Sequence, residues 1–125
     1  MADGMRQFEL GEVIAEREIQ FAATAGWTCD VTVRVGRPVR DVESRRAWVC
    51  PFQIVGVGSG RVIGMLGADA MLALLRSLHT IPSELASYMH DPGGTFMRHG
   101  EPDTAFVDSC QTMLEYVGTS FPATE

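Results

Sequence analysis

Between Trp27 and Val35 the chain alternates without a break. Trp27, Cys29, Val31, Val33 and Val35 are apolar, and Thr28, Asp30, Thr32 and Arg34 separate them. Successive side chains of a strand point to opposite faces, so this segment has one buried face and one wet face. Antiparallel sheets carry that pattern, whereas strands buried on both faces in a parallel sheet do not. From Ala68 the period changes. Met71, Leu74, Leu75, Leu78, Ile81, Leu85 and Tyr88 form an apolar stripe at helical spacing. The chain therefore reads as a sheet followed by a helix that roofs it.

The flanking segments extend the reading. Glu16, Arg17 and Glu18 would suit a helix, but the later alternation Ile19, Gln20, Phe21 reads Val13 to Ala23 as a strand, and Ala25-Gly26 is a turn. Trp48 to Val57 sets Trp48, Cys50, Phe52 and Ile54 on one face. Pro51 has no N–H to donate, which predicts a local edge or a bulge there. Gly58-Ser59-Gly60 turns the chain into a strand over Arg61 to Leu66, completing a hairpin. Pro82 falls inside the helical stripe and predicts a kink, or a break with a restart. His90-Asp91-Pro92-Gly93-Gly94 ends the helix, and Thr95 to Arg98 adds a short fifth strand. Asp103 caps a second helix with Phe106, Cys110, Met113, Leu114 and Val117 inward, stopped by Gly118. The expectation is one α+β domain over residues 1–125. It has an antiparallel meander of four to five strands, the long helix on one face, and a second, shorter helix. The ends, 1–11 and 119–125, are expected to be flexible.

Charge and cysteine usage limit the partners and the compartment. The chain has 16 acidic and 10 basic residues, a net charge of -6, and no lysine. Its basic cluster, Arg34, Arg37, Arg40, Arg45 and Arg46, is interrupted by Asp41 and Glu43. Nucleic-acid affinity comes mainly from neutralising phosphates, so a nucleic-acid partner is not expected. Cys29, Cys50 and Cys110 are widely spaced and odd in number, and no basic, then apolar run opens the chain. Reduced thiols and a cytoplasmic location follow as expectations. Val62 to Leu75 is too short for a bilayer and holds Asp69, so no membrane partner is expected.

The motifs read mostly as structure. In Gly56 to Gly60 the third glycine is misplaced for a dinucleotide fingerprint, a strand follows and there is no Walker lysine, so it reads as a hairpin turn. His90 and His99, with Asp91, Glu101 and Asp103, match no metal-ligand spacing, and His79 reads as a helix residue rather than a base. Cys50 lies between Trp48 and Phe52 on an apolar face and reads as packing. No catalytic residue, metal site or cofactor is expected. Arg37, Arg45, Arg46 and Trp48 are candidates to bind a small anion, since guanidinium groups grip carboxylate and phosphate in a fork. Trp27, Met71, Leu75 and Tyr88 are candidate interface residues.

Taken together, Ile14-Ala15-Glu16-Arg17, the Gly36-Arg37-Pro38 run, Trp48-Val49-Cys50-Pro51-Phe52-Gln53-Ile54 and the helix opening Asp69-Ala70 before Leu74-Leu75 resemble a family of small bacterial proteins. That family is known only as a domain of unknown function. The resemblance covers Ile14 to Met89 and implies no activity and no functional residues. Two apolar helices on one apolar sheet face leave hydrophobic surface in excess, which predicts a homodimer. The leading functional expectation is a self-associating, non-enzymatic interaction or accessory module. Alternatives are an immunity-type inhibitor of a basic toxin and a binder of a small anionic ligand.

Overall fold

The computed structural model describes residues 6–98 and 101–102. Seven β segments and one α-helix follow in the order β1 (Val13–Ala23), β2 (Thr28–Gly36), β3 (Val39–Arg40), β4 (Trp48–Val55), β5 (Val62–Gly67), α1 (Ala70–Tyr88), β6 (Gly94–Arg98) and β7 (Glu101–Pro102). Every pairing is antiparallel. β3 continues the line of β2 along β4, so the sheet is six strands wide: β5-β4-β2-β1-β6-β7. The α+β class holds. The count of four or five strands does not, because the short β3 and β7 carry no two-residue pattern. The second helix expected after Asp103 lies outside the described residues.

From β1 to β5 the chain forms the expected meander. It then departs from it. Helix α1 carries the chain back across the sheet, and β6 pairs with β1, Phe96 opposite Phe21. β4 is accordingly an interior strand, with β5 on one side and β2 and β3 on the other. Pro51 fits there because it faces the junction of β2 and β3. Val35 pairs with Phe52 and Val39 with Val49, so four steps on one side match three on the other. The expected irregularity is real, and it lies in the neighbouring strand.

One face of the sheet and α1 enclose the core. Ile19, Phe21, Val31, Val33, Val35, Cys50, Phe52, Ile54 and Phe96 come from the strands, and Ala73, Ile81 and Leu85 from the helix. Each large side chain buried this way contributes about 1.5–3 kcal/mol. Asp69 caps α1, its carboxylate accepting from the Leu72 N–H at 2.8 Å. A Cβ on Gly67 would lie 2.9 Å from the Ala73 Cα, so the β5–α1 corner is closed over a glycine. The helix runs unbroken through Pro82, which is buried. The restart expected at that proline does not occur, because the core contacts of Ile81 and Leu85 on either side outweigh one lost backbone bond. A five-residue π-helical turn, Met89–Gly93, ends the helix. No helix among the described residues is long and apolar enough to cross a membrane.

Candidate functional site

Two surfaces of the molecule are built unlike an ordinary wet exterior. The first is the flank of α1. The buried side of the helix runs along Ala73, Ser77, Ile81 and Leu85, and two of these are small, so the helix sits close to the sheet. That rotation turns Met71, Leu75 and Leu78 of the apolar stripe outward, while Leu74 and Tyr88 pack against the core. Met71 is 70% exposed, Leu75 47% and Leu78 36%, one helical turn apart along a single line. Beside Leu78 an open groove of about 130 Å³ has Val33 and Val35 in its floor and Ala15, Glu16 and Arg17 along its rim. Of the four candidate interface residues, Met71 and Leu75 belong to this flank. Trp27 and Tyr88 do not. Trp27 follows β1 at the far end of the sheet, with its ring 5.6 Å from that of Phe21. Tyr88 ends α1 half-buried against the core, its hydroxyl over Gly58. A 19-residue helix separates the two ends by roughly 28 Å.

The second surface surrounds Asp41, which is 2% exposed. Its carboxylate accepts from the Arg6 guanidinium and, at 3.0 Å, from the Ser44 N–H. Arg6 also reaches Glu43 at 3.2 Å and lies over the Phe8 ring. The Arg6 hydrogen bond holds the Asp41 carboxyl below the usual carboxylate range, against the opposing effect of burial. The same contact raises the already high Arg6 value. Residues 6–10 run over the outer face of the sheet. A Cβ on Gly64 would lie 2.6 Å from the Phe8 ring, and one on Gly36 would strike the Leu10 backbone. Sequence reasoning missed this arrangement, since Arg6, Phe8 and Leu10 alternate with Gln7 and Glu9 over only five residues, in a polar stretch expected to be flexible. The available signals were that short alternation and an aspartate, Asp41, among arginines.

The arginine cluster is spread along this edge rather than gathered around a cavity. Arg37 pairs with Glu12 at 3.2 Å and Arg34 with Glu16 at 2.7 Å. Arg40 stacks over Trp48, 5.2 Å from the ring centroid, and donates to the Arg45 carbonyl at 2.7 Å. Arg45 and Arg46 are exposed on the loop that Asp41 organises. Arg37, Arg45, Arg46 and Trp48 thus share one end of the sheet, but the guanidinium of Arg37 is turned to a carboxylate.

The remaining chemistry-bearing residues take structural places. Cys50 is fully buried, burial pushes its thiol pKa up, and its Sγ donates to the Gly36 carbonyl at 3.4 Å. A thiol so placed is a poor nucleophile. His79 and His90 are exposed, and His99, Asp103 and Cys110 lie outside the described residues. Among the described residues no group of three His, Cys, Asp or Glu side chains converges to hold a metal.

The class that these features define is a small α+β domain, a six-strand-wide antiparallel sheet roofed by one helix. The chain belongs to the family described as Domain of unknown function (DUF6968), whose family model matches residues 15–106. That range takes in the strand and helix segments on which the sequence resemblance rests and continues past α1 into β6 and β7. Neither the curated proteins nor the solved structures contain a match to this chain.

Proposed function

We propose that this protein is a non-catalytic interaction module of the cytoplasm that works as a homodimer, joined through the flank of α1. The observation that carries this reading is the line Met71, Leu75 and Leu78, exposed at successive turns beside the groove floored by Val33 and Val35. Contiguous apolar surface of this kind costs free energy while it faces water. A second copy is the occupant that best fits, because the same line on its helix has equal length and equal apolar character. A two-fold arrangement sets each Leu75 against the partner's flank and lets Leu78 face the opposite groove. Arg76, one residue from Leu75, is already committed to the Leu66 carbonyl at 3.0 Å, so closing the flank leaves it with a partner.

The anion-binding reading of Arg37, Arg45, Arg46 and Trp48 has weaker support, since Arg37 is engaged with Glu12 and Trp48 with Arg40. Inhibition of a basic toxin rests on small size, net acidity and the α+β build, which are generic features. Multi-angle light scattering on the full chain tests the leading reading. A mass twice that of the 13.6 kDa chain at micromolar concentration supports it, and a monomer across that range rejects it.

A further inference from the structure

We infer that the outer face of β4 and β5 is a peptide-recognition site, specific for an extended segment with an arginine two residues before an aromatic, and that residues 6–10 occupy it as an intramolecular ligand. The trough is defined by small residues in register. Pro51 pairs with Gly64, and Gly36 lies on the other side of Pro51, where a Cβ would come within 2.8 Å of the proline ring. The Phe8 ring rests on Gly64 and the Leu10 backbone on Gly36. Side chains at those glycines would fill the trough. At its end stands Asp41, a buried carboxylate whose charge is compensated by Arg6.

A buried carboxylate stripped of its cation is costly, so this end of the trough demands a guanidinium. The flat glycine floor demands a ring two residues further on. The resident segment, Arg6-Gln7-Phe8-Glu9-Leu10, supplies both, while Gln7 and Glu9 stay exposed. Open cavities flank it: about 340 Å³ between Phe8 and Arg61, and about 280 Å³ between Phe8 and Val39. The segment therefore lies in a channel wider than itself. Gly11, with φ of 66°, joins it to β1 through a backbone conformation that other residues rarely adopt. This site is on the face of the sheet opposite α1 and does not depend on the proposed dimer.

A tethered ligand acts at an effective concentration on the order of millimolar, so the site is blocked in the free chain until the segment is weakened. The test uses the full-length protein and a fluorescently labelled synthetic peptide spanning Arg6 to Gly11, followed by anisotropy. The expected result is that Phe8→Ala protein binds the peptide about tenfold or more tighter than wild type. A peptide carrying Glu in place of the arginine should lose that binding. Arg6→Gln protein, which keeps a hydrogen-bond donor toward Asp41, provides the same comparison should Phe8→Ala lower expression. Equal affinity for wild type and both variants, absence of binding to all three, or undiminished binding of the Glu peptide would each overturn the assignment.

Discussion

Ser77 donates a 2.7 Å hydrogen bond to the carbonyl of Cys50, tying the middle of α1 to the interior of β4 inside the core. Both residues are fully buried. A serine on the buried side of a helix carries a polar group into the core, and here the group finds an acceptor in the backbone of an interior strand. With Ala73 one turn earlier, the small Ser77 side chain also lets the helix lie close to the sheet. That closeness rolls Met71, Leu75 and Leu78 off the core.

Ser77→Ala should cost about 1–3 kcal/mol, because it leaves the Cys50 carbonyl buried without its donor. Urea unfolding at neutral pH measures this. Thr80→Ala is the matched control, since the Thr80 hydroxyl bonds only to the Arg76 carbonyl on the exposed side of the helix. It should change stability by less than about 0.5 kcal/mol.

Asp41 makes stability depend on pH. Its folded-state pKa lies below the unfolded value, so the folded chain binds fewer protons than the unfolded one as the carboxyl titrates. The contribution is fully present above the ordinary carboxylate range, about pH 4, and is lost as pH falls through the depressed value. Wild type should lose stability more steeply on acidification than Asp41→Asn. Thermal unfolding between neutral and strongly acidic pH would read parallel curves if the Arg6 contact contributed nothing.

Gly67→Ala should destabilise the fold although it adds only a methyl group. Its new Cβ meets backbone rather than a yielding side chain, so the β5–α1 corner must open, at about 1–3 kcal/mol. Ile81→Ala, which empties a fully buried site, should cost about 2–5 kcal/mol. Denaturant midpoints for the two variants check both values.

The strand Thr28–Gly36 was legible because it has one wet face and lies within a residue of the alternating stretch. Val13–Ala23 was legible only through the alternation at Ile19 to Phe21, its first four residues being exposed on both faces. The α1 span was equally plain. Its rotation was not, because hydrophobicity ranks Met71, Leu75 and Leu78 above Ala73 and Ser77, whereas closeness of approach favours the small residues. The return of β6 to β1 was hidden for a different reason. Five residues with no tight hairpin to a neighbouring strand can pair with any free edge, and only the three-dimensional path of α1 and of the turn that ends it selects β1. The trough was hidden because Gly36, Pro51 and Gly64 are far apart in sequence and each alone reads as a turn or a breaker.

Sedimentation velocity on wild type and Leu75→Glu addresses the α1 flank most directly, since the substitution charges the middle of the exposed line at a residue outside the core cluster. The account predicts a dimer for wild type, a monomer for Leu75→Glu at the same concentration, and unchanged near-ultraviolet circular dichroism from Trp27 and Trp48. A Leu75→Glu chain that sediments as wild type does would contradict it.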